Sequence, residues 1–523
     1  VDGLIMDRQL LVSSLLWRAE RLYAQRTGTA VTADGSRRHF TYAEMAQDAR
    51  RLAGALSDLG IQPGERISAL AWNTYEYLTA YFGVPGLGAV LHTVNHRMST
   101  AHIVHTIRTA GSKVLIVDHD LLPVLEVVEP ELDGIEHLIV VGGGNPRTSI
   151  PSVHYWEGFL ADATPVNEWP EFDERTASGI CFTSGTTGLP KGVVYTHRST
   201  VLHALGISAA GGIGINPGDG YLLATNMSHV NGWGVPYACI MQGARIILPG
   251  PHPSPRQLLE LITEEGPSVF VGSPTVAAMA KDIVNAEPDA FSLDSLGTLW
   301  LGGQTPPADL ANWYGERGIV TTNGWGMTET SPMASYLEGH QTQGLPLPLV
   351  EMRIVGPEGE EMPWDGVSTG QLQVRSPWVA AGYLDDDGRS AESFVDGWFS
   401  TGDVAVMHPD GQLQLRDRFK DLIKSGGEWI SSVEIENALR LHPSVREAAV
   451  IGIPDPTWLE RPIAWVVTDG EASDAELRAY LERSFPKFWL PDAFVRVDEI
   501  PKTSVGKLDK AGMRLAQAAR DGR

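Results

Sequence analysis

The sequence predicts an α/β protein: a large N-terminal domain of parallel or mixed sheets with helices, a small β subdomain, and a small α+β C-terminal lid. Three observations predict it. Apolar strand-like runs alternate with helix-like segments through the first third of the chain, the pattern of a parallel sheet covered by helices. From residue 340 onward the texture changes to short strands broken by Gly, Pro and Asp, as in "EMRIVGPEGEEMPWDGVSTGQLQVRSPWVAAGY". Beyond Asp417 a mixed helix–strand pattern returns. The chain has 523 residues, too many for one compact core. The expected N-terminal domain is 1–416, with its β subdomain near 340–416, and the lid is 422–523.

Taken in order, "LLVSSLLW" (residues 10–17) leads into "RAERLYAQR" and reads as an amphipathic helix of a soluble domain rather than a signal peptide. "TYAEMAQDARRLAGALSDLG" opens with Thr41 and Glu44 at capping-box spacing. Met45, Ala49, Leu52, Ala53, Leu56 and Leu59 recur at helical spacing, and Gly60 suits a left-handed stop. "RISALAW" (66–72), "AVLHTVN" (89–95), "KVLIVD" (113–118) and "HLIVVGGG" (137–144) are strand candidates. Helices fall at "YLTAYFGV" and "HIVHTIRTAG", the latter ending at Gly111. "VVGGGNPR" lacks the G-x-G-x-x-G spacing of a dinucleotide loop. In the C-terminal part, "VEIENALRLH" and "DAELRAYLERSF" predict helices, and "REAAVIGIP" and "PIAWVV" predict strands.

The formal net charge is −24, from 64 acids against 40 Lys and Arg. That balance argues against a nucleic-acid or anionic-membrane partner, yet leaves room for a local positive pocket. No run of 18 apolar residues occurs, so no membrane span is expected. The two cysteines, Cys181 and Cys239, lie in apolar or small-residue settings and read as buried thiols, consistent with a reducing cytoplasm.

The stretch with the most chemistry is "TSGTTGLPKG", residues 183–192. It is not a Walker A loop: Lys191 follows Pro190 and precedes Gly192, and "KGVVYTH" continues as a strand candidate. Its residue types still suit phosphate. Gly185 and Gly188 let backbone N–H groups approach phosphate oxygens; Thr183, Ser184, Thr186 and Thr187 add hydroxyl donors, and Lys191 adds charge. A Gly/Thr-rich loop on its own is more often a mobile turn.

It has company. In order, "TSGTTGLPKG", "NGWGMTET" (323–330), "WFSTGD" (398–403), "DRFKDLIKSGGEW" (417–429) and "PKTSVGK" (501–507) resemble the adenylate-forming superfamily, which includes acyl-CoA synthetases, carrier-protein adenylation domains and luciferases. The resemblance spans nearly the whole chain. It implies a two-step reaction: carboxylate and ATP give acyl-AMP and pyrophosphate, then a thiol displaces AMP. It implies a mobile lid turning on a hinge at 417–421. Lys507 resembles the lysine that holds carboxylate and α-phosphate together. Glu329 resembles the Mg²⁺ ligand, Thr328 can bond the α-phosphate, and Trp325 and Gly326 stand at adenine. Gly303 and Gln304, in "LGGQTPP", match the backbone passing adenine and acyl group; Gln304 replaces a small residue. Asp403 can accept from both ribose hydroxyls, and Arg418 can donate to the same sugar. Gly426 and Gly427 match the loop beside pantetheine. Taken singly, Lys507, Trp325, Asp403 and Arg418 would read as surface or core residues; the motif context changes that.

"MSHVNGWGVPY" (227–237) resembles the mouth of the acyl pocket. His229 would border the carboxylate and thiol path, and Trp233 matches an aromatic gate. Val230, Asn231, Val271, Gly272, Gly302 and Gly324 complete the expected wall. The small residues leave volume for a mostly apolar acid, medium- or long-chain or bulky. Ser228, where the family usually has Phe, and Leu459, where it often has Gly, are departures. The expected thiol is CoA, since the sequence leaves no room for a fused carrier after Lys507. A carrier-loading ligase, a ligase specialised for one half-reaction, a luciferase-type oxygenase and a non-enzymatic binding protein stay open. The expected cofactors are ATP, Mg²⁺ and CoA, the expected location is cytoplasmic, and resemblance to fatty acyl synthetases suggests a homodimer.

Overall fold

The computed structural model describes residues 3–520 apart from 184–188, 304, 340–341, 427, 471 and 503–507. Two compact units result: one of the described residues up to Glu351 together with Arg375–Phe399, the other of Met352–Val374 with Ser400 onward.

Among its described residues the first unit holds two sheets. A seven-stranded sheet runs Ser152–Tyr155, His137–Val141, Ser112–Asp118, Arg66–Leu70, Val90–Thr93, Ala177–Phe182, Gly192–Thr196. All its neighbours are parallel except the last pair, where Phe182 faces Gly192. A nine-stranded sheet includes, side by side, Met333–Glu338, Val320–Gly326, Thr298–Leu301, Val269–Gly272, Gly220–Leu223 and Arg245–Leu248. Its central pairs are parallel, and Val320–Gly326 meets Met333–Glu338 antiparallel. This is the α/β architecture the alternation predicts.

Local signals act as read. The Thr41 side chain accepts from Glu44 N–H while Glu44 bonds back, and the helix runs Tyr42–Asp58. Gly111 ends Thr100–Ala110 at φ +63°. Helix Val12–Arg21 buries Val12, Leu15, Leu16 and Ala19 on one face. No described helix is long and apolar enough to cross a membrane.

In the second unit, Asp403 to Met407 pair antiparallel with Leu413–Arg418, setting Asp403 opposite Arg418. The C-terminal part is built on the antiparallel pair Val445–Asp455 and Leu459–Thr468. Side chains alternate across that sheet. Ala448, Val450, Ala464 and Val466 pack with helices Ser432–Arg440 and Asp474–Leu481. Ala449, Ile451, Ile463 and Trp465 pack with Met513 of helix Lys510–Arg520.

Candidate active site

The glycine loop is anchored where two antiparallel strands end. Thr183 N–H donates to Lys191 O at 2.9 Å, and Lys191 N–H donates to Thr183 Oγ1 at 3.0 Å. The ladder thus continues one residue past Phe182 and Gly192 and delivers Lys191 from a fixed stem. Ser184, Gly185, Thr186, Thr187 and Gly188 lie outside the described residues, as do Gln304, Gly427 and Lys507.

Lys191 Nζ sits 4.2 Å from the centre of the Tyr383 ring, a cation–π contact. Tyr383 also donates its hydroxyl to Glu329 Oε1 at 2.7 Å. One phenol therefore ties the loop lysine to the buried carboxylate. Burial lowers the Lys191 pKa, and the Glu329 charge opposes that shift. Burial, then Glu329, raises the Tyr383 pKa, so the phenol stays protonated and remains a donor.

Glu329 belongs to the short turn Thr328–Thr330. Its carbonyl accepts from Ala380 N–H at 2.8 Å. The Thr328 carbonyl accepts from the hydroxyl of Tyr195, on the strand that follows Lys191, at 2.7 Å. Lys191, Tyr195, Thr328, Glu329 and Tyr383 thus form one bonded group. Among the described residues no set of three or more His, Cys, Asp or Glu side chains gathers as a metal site. A lone buried carboxylate fits Mg²⁺, which takes one or two carboxylates and completes its shell with phosphate oxygens and water.

Gly324, Trp325 and Gly326 end their strand against Pro332 to Ser335. A Cβ on Gly326 would collide with the Pro332 carbonyl, and one on Gly324 would stand 2.7 Å from the Ser335 carbonyl. Trp325 is buried, and its N–H donates to Ser335 Oγ at 3.2 Å.

The residues expected at the acyl pocket form an unusual turn. Val230, Asn231, Gly232, Trp233 and Gly234 all have positive φ, between +48° and +77°. Three of them are not glycine, and each such residue costs about 1–2 kcal/mol in this region. Side-chain bonds hold the turn. Cys181 Sγ–H donates to Asn231 Oδ1 at 3.1 Å. Burial pushes the Cys181 thiol up to about 11, so it stays protonated and can donate. The Trp233 ring lies over Gly302, where a Cβ would stand 2.7 Å from the indole, and 5.6 Å from the Trp300 ring. Phe270 covers Gly272 in the same way, at 2.6 Å. Val271 is fully buried, Gly303 has φ +91° with open space at its Cβ, and His229, half-buried, precedes the turn. The Ser228 hydroxyl is buried without a partner.

In the second unit, Arg418 Nε meets Asp403 Oδ1 at 2.6 Å, with Asp403 buried. Gly426 has φ +62°, and its N–H donates to Trp458 O at 2.9 Å. Leu459 holds φ +76° where glycine would be unstrained.

Sequence reasoning missed Tyr383 and Tyr195, and it read Cys181 as a buried thiol, which it is, without its bond to Asn231. Tyr383 lies in "VAAGY", a stretch readable only as strand and turn, and its partners are about 50 and 190 residues away. Tyr195 and Cys181 flank the glycine loop on its two strands, and that placement was the available signal.

A family model described as AMP-binding enzyme matches residues 19–384, and one described as AMP-binding enzyme C-terminal domain matches 434–507. A long-chain-fatty-acid–CoA ligase of Thermus thermophilus is 41% identical, over 98% of this chain and 96% of that protein. A 3-methylmercaptopropionyl-CoA ligase of Ruegeria lacuscaerulensis is 39% identical over 98% of each. The structure of the anthranilate CoA ligase AuaEII with anthranoyl-AMP matches 99% of both chains with a TM-score of 0.88 and 26% identity. The chain belongs to the AMP-binding enzymes, in the acyl-CoA synthetase branch of the adenylate-forming superfamily, and is an acid–thiol ligase.

Proposed function

We propose that the enzyme activates a mostly apolar carboxylic acid, medium- or long-chain or bulky, with ATP and passes the acyl group to CoA. The observation that carries this is the group Lys191–Tyr383–Glu329–Thr328 at the stem of the glycine loop. The strand leading into that loop also bonds the acyl-side turn, through Cys181 and Asn231.

In the first step an acid oxygen attacks the α-phosphorus, and the bond to pyrophosphate breaks. Two anions must meet, so donors and cations do most of the work. Lys191 and the glycine loop grip the leaving pyrophosphate. Thr328 bonds the α-phosphate. Glu329 would hold Mg²⁺, which would neutralise phosphate charge when bound. Trp325 and Gly326 flank adenine, and Asp403 with Arg418 binds the ribose. Lys507 bridges carboxylate and α-phosphate. In the second step the CoA sulfur attacks the acyl carbon and AMP leaves. His229 borders that path, and Gly426 and Gly427 line pantetheine. Val230, Asn231, Trp233, Val271, Gly272, Gly302 and Gly324 wall the acyl group. A hinge at 417–421 turns the lid between steps, and the homodimer belongs to the same proposal.

The test is an ATP-and-CoA assay over a panel of acids, measuring AMP and thioester together with pyrophosphate exchange. Exchange and CoA-dependent thioester on apolar acids are expected. AMP release independent of CoA, or absence of exchange with acid and ATP, overturns the reading. Lys507→Ala is expected to abolish exchange while leaving thioester formation from supplied acyl-AMP largely intact; equal loss of both removes the role assigned to Lys507.

A further inference from the structure

The left-handed turn Val230–Gly234 and the turn Thr328–Thr330 are far apart in sequence, yet one imidazole touches the supports of both. His203 lies on helix His197–Ser208 and is buried. Its Nε2 accepts from Met333 N–H at 3.1 Å. Met333 is four residues past Glu329 and begins the strand that packs on Gly324 and Gly326. The other edge of the ring lies under Gly234. A Cβ there would stand 2.6 Å from His203 Cε1 and 2.7 Å from Nδ1. Gly234, at φ +77°, ends the turn that carries Trp233.

The ring is itself fixed. Trp378 packs against it with centroids 6.0 Å apart at 80°, and Trp378 Nε1 donates to the Met333 carbonyl at 3.2 Å. The Trp378 carbonyl accepts from Ser331 Oγ at 2.6 Å. Trp378 rests on Gly206, one turn along the helix from His203, where a Cβ would stand 2.9 Å from the indole. Both main-chain polar groups of Met333 are therefore claimed by side chains seated on one helix. Burial lowers the His203 pKa to about 3, so the ring is neutral and Nε2 is a standing acceptor.

We propose that His203 is a positioning residue: it sets the spacing between the turn that seats the acyl group and the turn that holds the phosphate-side groups. This rests on the functional reading above and deepens it. Adenylation needs the acid oxygen in line with the α-phosphorus, and a misplacement of about 1 Å costs on the order of a hundredfold in rate. An imidazole wedged against Gly234 and bonded to Met333 resists that slip from both sides.

Three variants of the full-length protein separate the two contacts: His203→Ala, His203→Gln and Gly234→Ala. The readouts are pyrophosphate exchange, with kcat and the KM of ATP and of acid, over straight-chain acids of graded length. His203→Ala is expected to lower kcat about a hundredfold, to raise the KM of ATP and to shift the preferred chain length. His203→Gln keeps an acceptor for Met333 N–H but not the flat ring under Gly234; it is expected to restore the KM of ATP while the chain-length shift persists. Gly234→Ala pushes the turn off the ring and is expected to shift chain length with the KM of ATP unchanged. A uniform fall in kcat for His203→Ala, with chain-length profile and both KM values unmoved, overturns the proposal, as does a His203→Gln enzyme indistinguishable from His203→Ala. An unmutated enzyme that makes no acyl-adenylate from any acid refutes the functional reading itself, a separate outcome.

Discussion

Tyr383 shows how much one side chain can organise. Its hydroxyl fixes Glu329, and its ring face receives Lys191. Groups that orient a metal ligand through a hydrogen bond change metal affinity about 10–100-fold when removed. Tyr383→Phe keeps the ring for Lys191 and deletes only the bond to Glu329. The expected result is an increase of about tenfold in the Mg²⁺ concentration that half-saturates pyrophosphate exchange, with little change in unfolding midpoint. An unchanged Mg²⁺ dependence would remove Tyr383 from the metal's support. The reading of Glu329 rests on a contiguous motif, "GMTET". Tyr383 was not legible, because its meaning arises only once a segment far along the chain closes over the loop stem. Trp233 was legible as an aromatic beside two glycines. The reversed handedness of its turn was not, since Val and Asn give no local signal for positive φ.

Among elements, helix Lys510–Arg520 has the most telling contacts. Lys510 Nζ is 2.7 Å from Glu436 Oε1 and donates to Ser432 Oγ at 2.6 Å, with all three residues buried. Ser432 donates from both N–H and Oγ to Asp417 Oδ2, at 2.7 and 2.6 Å. One turn further on, Arg514 donates to Asp421 Oδ1 at 2.7 Å. The helix that follows Lys507 therefore grips both ends of the segment 417–421. Removing one partner of a buried ion pair strands the other and costs about 3–5 kcal/mol, whereas replacing both with apolar groups is often neutral. Burial already raises the Glu436 pKa with Lys510 in place. Lys510→Met is expected to destabilise the protein by about 3–5 kcal/mol in chemical denaturation, and adding Glu436→Leu is expected to recover most of it. A single variant as stable as the parent would show that the pair contributes nothing. Sequence periodicity found helices Ser432–Arg440 and Asp474–Leu481 and strands Val445–Asp455 and Leu459–Thr468, because such patterns as the run "REAAVIGIP" are local, but it did not find helix Lys510–Arg520. It could not find Lys510 inside, since a lysine near a C-terminal helix start reads as solvated.

For the whole molecule, the α/β order was readable because strand and helix periods differ. The pairing of Ala177–Phe182 with Val90–Thr93 was not, because it joins distant segments. The same non-local burial has a consequence for acid stability. His92, His197 and His203 are buried in the first unit, on a strand and a helix far apart in sequence. His197 Nδ1 accepts from Val12 N–H and His203 Nε2 from Met333 N–H, bonds that only the neutral ring can make. His92 meets the Ser68 hydroxyl at 2.7 Å. Burial lowers His92 and His203 to about 3 and His197 to about 4, from 6.5. The unfolded chain binds protons at these sites near pH 6.5, and the folded chain does so only near pH 3–4. Their contribution is complete above pH 6.5 and is lost as pH falls toward the folded values. Each imidazole contributes a slope of about 1.4 kcal/mol per pH unit, so three give about 4 kcal/mol per unit below pH 6. Against a typical stability of about 5–15 kcal/mol, two pH units remove most of the margin. Urea midpoints measured from pH 8 to 4 are expected to be level above about pH 7 and to fall steeply below 6.5. His203→Gln, which cannot be protonated, is expected to make that fall shallower by the slope of one imidazole, about 1.4 kcal/mol per pH unit. A midpoint that stays level from pH 7 to 5 would mean the three rings are protonated in the folded state, and the bonds from Val12 and Met333 would then have to be broken.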